Sequence, residues 1–393
     1  MRQLLFALLM VGVVVELSPA QPTGKEIIKV APDLPFPFSP AVKSGGLIYV
    51  SGALSTDAQG KVVGDDVRAQ VKGVLDQIKK VLDAAGSSLA NVVSVQVYLK
   101  RAEDFAAMNE VYKTYFSADP PARTTVVTDL LLGGLVEMSA VAVPNGGDRK
   151  TIHPEGWQKS QNPYNYAVKA GETLFLSGLV ARDPRTNARI EGDMTAQANA
   201  VLKNAEEILK AAGMGFESVV STRVFITDGA AFQDMNAAYR AKFPKDPPAR
   251  ATVIAGLMAP DLKVEMTFTA STAPRKVISD GRTTNPNLSP AILAGNRLYL
   301  SGMLGNTEAT KGDIRAQTRE TLARLNKTIE AAGFNASHVV DGIVYLPDLA
   351  NFAGMNEAYR EMFRDGFPAR ATVGAGLVAP DGLVEIMFTA VKP

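Results

Sequence analysis

One phrase occurs three times in this chain of 393 residues: "PPARTTVV" at 120–127, "PPARATVI" at 247–254 and "FPARATVG" at 367–374. A repeat constrains the fold more than any local propensity, because each copy must build the same unit. The other markers keep step. Ser51-Gly52, Ser177-Gly178 and Ser301-Gly302 each end an apolar run, and Gly86, Gly213 and Gly333 each close an "AAG". Met108-Asn109, Met235-Asn236 and Met355-Asn356 follow, then Arg123, Arg250 and Arg370, and finally Glu137, Glu265 and Glu385. The interval of roughly 120 residues is an ordinary domain size and too long for a solenoid repeat. Each copy is therefore a domain.

The copies read alike. A strand leads to a Pro-rich bend ("PFPFSPAV", "NPYNYAV", "NPNLSPAI") and then to the strand ending in Ser-Gly. Val67, Val71, Val74, Leu75, Ile78 and Leu82 recur at helical spacing, and Gly86 stands where a helix end favours positive φ. "VVSVQVYL" at 92–99 is β-branched and alternating, a strand. A second helix carries Phe105, Met108, Tyr112, Tyr115 and Phe116 on one face, which the spacing reads as core packing. The Arg segment opens a strand, and after a turn the Glu strand ends the unit. The order β-β-β-α-β-α-β-β is an α+β layer with helices on one face of a sheet. The copies span 25–146, 149–271 and 275–393, joined by "PNGGDR" and "STAPR".

Composition narrows the chemistry. There is no cysteine, which excludes disulfides, thiolate nucleophiles and Cys-ligated zinc. Lys+Arg is 41 against Asp+Glu 40, so no global field draws in nucleic acid or an anionic membrane. His153 and His338 are the only histidines and occupy non-equivalent repeat positions, so no histidine is shared as a catalyst or ligand. The Ser-Gly pairs lack the flanking glycine of a nucleophile elbow. "GAGL" at 374–377 has no phosphate-loop pattern and reads as a turn. Residues 1–20, "MRQLLFALLMVGVVVELSPA", have a basic start, a short apolar core and small residues before Ala20. They read as a signal peptide, and a secreted or periplasmic location is expected.

The motifs in this order resemble the RidA (YjgF) family, the reactive intermediate imine deaminases: the bend before "AV", the "YVSG" strand end, the "AAG" helix end, "MN-x-x-Y" and "PPAR-x-T" with its downstream "VE". The resemblance covers nearly all of residues 25–393, once per copy. It implies a chorismate-mutase-like α+β fold and an intrachain pseudo-trimer, because such proteins form homotrimers with a ligand cleft at each interface. It implies that Arg123, Arg250 and Arg370 clamp a substrate carboxylate, and that Glu137, Glu265 and Glu385 face the same pockets. Ser51, Ser177 and Ser301, with Asn109, Asn236 and Asn356, match further pocket residues. Phe38, Tyr164 and Leu288 stand at an aromatic position that is usually tyrosine, and Thr125, Thr252 and Thr372 two positions after the arginine. The implied activity is hydrolysis of small imino acids to 2-oxo acids and ammonia. No cofactor or metal is expected, and neither is a nucleic-acid or membrane partner for the mature chain, which should be a monomer.

The residues alone make chemical sense of the arginine and glutamate. Placed on a presumed hairpin with the turn midway, Glu137 falls opposite Thr125 and on the same face as Arg123. A guanidinium matches a carboxylate in bidentate fashion, and a nearby carboxylate positions or activates water. A salt bridge tying two strands together is the alternative that this pairing leaves open. Non-catalytic binding of small carboxylates and ribonuclease activity are the competing functions.

Overall fold

The computed structural model describes residues 24–30, 35–282, 284–363 and 366–392. The expected signal peptide lies outside them. Repeat 1 contains β1 (Glu26–Ile28), β2 (Ala41–Ser44), β3 (Leu47–Leu54), α1 (Val67–Ala84), β4 (Val92–Leu99), α2 (Phe105–Tyr115), β5 (Ala122–Val127) and β6 (Val136–Ala142). Repeat 2 follows with β7 (Lys150–Ile152), β8 (Ala167–Ala170), β9 (Thr173–Leu176), α3 (Met194–Ala211), β10 (Val219–Ile226), α4 (Phe232–Lys242), β11 (Ala249–Ile254) and β12 (Val264–Ser271). Repeat 3 has β13 (Arg275–Ile278), β14 (Ala291–Ala294), β15 (Arg297–Leu300), β16 (Met303–Leu304), α5 (Ile314–Ala331), β17 (Val339–Leu346), α6 (Phe352–Arg360), β18 (Ala369–Gly374), β19 (Gly376–Leu377) and β20 (Glu385–Val391).

Helix boundaries follow from local chemistry. Asp66, Asp193 and Asp313 each accept a backbone N–H of the first turn of α1, α3 and α5. That bond satisfies one of the donors a helix start leaves free. Gly86, Gly213 and Gly333 follow the other ends with φ of 71°, 72° and 73°. Val71, Val74, Leu75, Ile78 and Leu82 of α1 are buried on the sheet. Truncating any of the leucines to alanine should cost about 2–5 kcal/mol.

The first sheet runs β1-β2-β3-β6-β4-β5, and the other repeats use the same order. This corrects the expected hairpin. The Arg strand β5 pairs in parallel with β4, while the Glu strand β6 pairs antiparallel between β3 and β4. The segment through α2 is a crossover connection, which makes its two strands parallel neighbours. The Arg strand therefore lies at the sheet's far side, with β4 between it and the Glu strand.

Each sheet covers its helices with one face and meets the other two sheets with the second. β4 is buried along its whole length, so the face that carries Ser94, Gln96 and Tyr98 is covered as well as the apolar face turned to the helices. Val42, Tyr49 and Val93 pack with Phe175, Val168, Val340 and Val391, joining all three repeats. The loops after the Arg strands interlock as well. Val127 bridges Gly256, Asp129 bridges Gly374, and β19 pairs with β11. "GAGL" is thus partly a strand that stitches repeat 3 to repeat 2, not merely a turn. A Cβ on Gly374 would lie 2.5 Å from that of Asp129. Only glycine allows this approach.

Candidate active site

The Arg strand ends its own sheet, so its backbone needs a partner. The next repeat supplies one. Arg123 N–H donates to Ser177 Oγ, Arg250 N–H to Ser301 Oγ and Arg370 N–H to Ser51 Oγ, each at 2.8 Å. Each serine donates in turn to the bend of its own repeat: Ser177 to the Asn165 carbonyl, Ser301 to Ser289 and Ser51 to Ser39. Repeat 1 docks on 2, repeat 2 on 3, and repeat 3 back on 1. The ring closes, and a buried arginine marks the place of the expected cleft at each of its three joints.

The glutamate in each cleft comes from the neighbour. Glu265 faces Arg123, Glu385 faces Arg250 and Glu137 faces Arg370. The expectation that an arginine meets its own repeat's glutamate is overturned, because β4 separates the two strands. Glu265 Oε1 accepts the Thr125 N–H at 3.3 Å, and Thr252 and Thr372 N–H hold Glu385 and Glu137 likewise. The carboxylate folds over the glycine of the Ser-Gly pair. A Cβ on Gly178 or Gly302 would stand 1.9 Å from the glutamate Oε1, and on Gly52 2.1 Å away. This close approach explains why glycine follows the serine in all three copies.

The guanidiniums are enclosed by rings. Arg123 lies 4.7 Å from the Tyr112 centroid, 5.7 Å from Phe105 and 5.6 Å from Tyr164 of the next repeat. Arg370 has Tyr359 at 4.7 Å, Phe352 at 5.8 Å and Phe38 at 5.4 Å. Arg250 has only Tyr239 at 4.7 Å and Phe232 at 5.9 Å, since Leu288 supplies no ring at the third position. Tyr164 thus serves Arg123, not Arg250. The helix aromatics, expected as core alone, are also cage walls. The signal was present: F-x-x-M-N-x-x-Y recurs in all three copies and places Phe, Asn and Tyr on one helical face.

The asparagines divide two to one. Asn236 Oδ1 accepts from Arg250 at 2.7 Å and Asn356 Oδ1 from Arg370 at 2.8 Å. Asn109 instead donates to Asn162 of repeat 2 at 3.2 Å and leaves Arg123 without that partner. The Nε of all three guanidiniums lacks a hydrogen-bond partner, and the side chains are almost wholly buried. Among the described residues no ion pair joins these arginines to the glutamates. The salt-bridge alternative therefore fails.

Burial dominates the electrostatics. It pushes Glu137, Glu265 and Glu385 up to about 8, against the opposing pull of the threonine N–H and the arginine. It also holds Arg123 and Arg250 below the ordinary guanidinium range and Arg370 at about 10. Each cleft thus presents a cation without a bonded counter-ion beside a carboxyl whose burial favours the protonated form. Neither histidine takes part. His153 bonds the Trp157 carbonyl, and His338 accepts the Asn335 N–H in a short turn. Among the described residues no group of three or more His, Cys, Asp and Glu could hold a metal, and no helix is long and apolar enough to cross a membrane.

A ring of three α+β domains with arginine clefts at its joints defines a class of protein, and comparison gives the family. The family described as Endoribonuclease L-PSP matches at 28–144, 157–272 and 282–392, and the chain belongs to it three times over. A RutC family protein of Pyrococcus abyssi is 45% identical over 123 residues, covering 30% of this chain and 97% of its own length. Protein DfrA of Myxococcus xanthus is 40% identical over 120 residues, covering 30% of this chain and 92% of its own. Among solved structures, the YjgF gene product of E. coli is 32% identical and covers 31% of this chain and 98% of its own, with a TM-score of 0.30.

Proposed function

We propose that the clefts hydrolyse small imino acids to 2-oxo acids and ammonia. The observation that carries this reading is the pairing, at each joint, of a caged arginine with a neighbour's buried glutamate, whose burial favours the protonated form. The guanidinium fork takes the substrate carboxylate in place of its missing counter-ion. The aromatic walls exclude water and orient the apolar part of the substrate. The glutamic acid gives its proton to the imine nitrogen, which makes the imine carbon electrophilic. The resulting carboxylate accepts a proton from water as the water oxygen bonds to that carbon, giving a carbinolamine. Glutamic acid then protonates the amine, the C–N bond breaks and ammonia leaves. The carbinol hydroxyl returns its proton to the glutamate as the 2-oxo acid forms.

The test is ammonia release from freshly generated 2-aminoacrylate and bulkier imino acids. The wild type should release ammonia well above the spontaneous rate. A variant carrying Arg→Ala at 123, 250 and 370 should fall back to that rate. Carboxylate binding without ammonia release would show a binding protein instead. RNA cleavage that survives the triple substitution would point to a different activity. The balance of 41 basic and 40 acidic residues gives no electrostatic attraction for an RNA backbone.

A further inference from the structure

The three sheets enclose a cavity of about 80 Å³ on the pseudo-threefold axis, away from the clefts. A water needs about 10–15 Å³ of such space, so the cavity admits a small organic molecule. Its walls repeat three times with one change per layer. By strand register, Gln96, Arg223 and Ile343 form one layer, paired to Ser139, Thr267 and Met387 respectively. Ser94, Ser221 and Asp341 form the next. Two residues along a strand correspond to about 7 Å, so the single cation and single anion of the wall stand in different layers.

Three observations indicate a ligand rather than an internal ion pair. Among the described residues no ion pair closes between Arg223 and Asp341, although each lies in the other's field. Both retain accessible surface at the centre of the molecule, and both line the cavity. Gln96 Oε1 is buried without a hydrogen-bond partner, and the Tyr98 hydroxyl lies close to Arg223 but outside good hydrogen-bond geometry. A satisfied structural network leaves no such atoms. We propose that the axial cavity is a second ligand site, for a small zwitterion of glycine to serine size, with its carboxylate on Arg223 and its ammonium on Asp341. The fit is one of charge: a cation and an anion that face one cavity without bonding each other match the two charged ends of an α-amino acid. Burial pushes Asp341 up to about 6 against the pull of Arg223, so at neutral pH the site is predominantly zwitterionic as well.

Calorimetric titration of the full chain with glycine tests this, with acetate and methylammonium as half-ligands. Arg223→Gln and Asp341→Ser install the residues that repeat 1 carries at those positions, Gln96 and Ser94. Each should weaken glycine binding at least tenfold, while imine hydrolysis and the melting temperature stay at wild-type values. Single Arg→Ala substitutions in the clefts should leave this component of binding intact. Should either axial substitution unfold the chain, Tyr98→Phe removes one cavity hydroxyl, and a severalfold weaker glycine affinity is then expected. Absence of glycine binding overturns the proposal. So does binding that survives the axial substitutions, or acetate binding as tightly as glycine.

Discussion

A glutamic acid that titrates near 8 ties stability to activity at a single residue. Glu137, Glu265 and Glu385 are raised from an ordinary 4.5 because burial penalises the charged form. Between those pH values the native state holds more protons than the unfolded chain, so stability must fall as pH rises. The contribution is full below 4.5 and lost through about 8. The isosteric variant with Gln at 137, 265 and 385 should flatten this decline, which denaturant titrations at pH 6 and pH 9 will show. The same variant should lose at least ~100-fold in imine hydrolysis, the scale of acid–base catalysis. Unchanged hydrolysis would leave these residues a structural role only. Gly178→Ala tests the packing beside them. Its Cβ would lie 1.9 Å from Glu265 Oε1, and such overpacking costs about 1–3 kcal/mol. Adding Glu265→Ala should recover most of that loss in a double-mutant cycle.

At the scale of elements, much was legible and one pairing was not. The order of strands and helices followed from periodicity and from glycine at the helix ends, because local chemistry sets both. The partner of the Arg strand was hidden, since sequence adjacency suggests a hairpin where a crossover through α2 makes β5 parallel to β4. That one topological fact hands each arginine the neighbour's glutamate. The cage was half legible, because Tyr112 and Met108 satisfy core spacing while also walling a cleft. The Asn109–Asn162 contact was not legible, since only docking of the repeats creates it. It leaves the clefts unequal. Arg123 alone has a tyrosine hydroxyl from the bend and a fork unoccupied by asparagine. A hydrogen bond to a charged group is worth about 1.5–3 kcal/mol, so Tyr164→Phe should reduce hydrolysis tenfold or more. Arg123→Ala should remove most of the total activity. Equal losses of about one third from Arg123→Ala, Arg250→Ala and Arg370→Ala would show that this divergence is silent.

Over the whole molecule, covalent linkage substitutes for concentration. Every cleft takes its arginine from one repeat and its glutamate from the next, so a separated repeat contains no complete cleft. Linkage makes docking intramolecular and holds the effective concentration near the millimolar range whatever the dilution. Light scattering of the chain without residues 1–20 should accordingly give the mass of one chain. The exposed turn at Asn145 and Gly146 offers a way to remove one link. A protease site inserted there and cleaved should leave a particle that elutes as before at micromolar concentration. Serine caps, the interlocked loops and the shared apolar faces still hold its two pieces together. Dilution to nanomolar concentration should then remove most of the hydrolysis in the cut protein, leaving only what the Arg250–Glu385 cleft within the larger piece supplies, but none in the intact one. Separation of the pieces immediately on cleavage would mean that the interfaces are too weak to close the ring unaided. Loss of activity in the intact protein on the same dilution would mean that the working unit is larger than one chain.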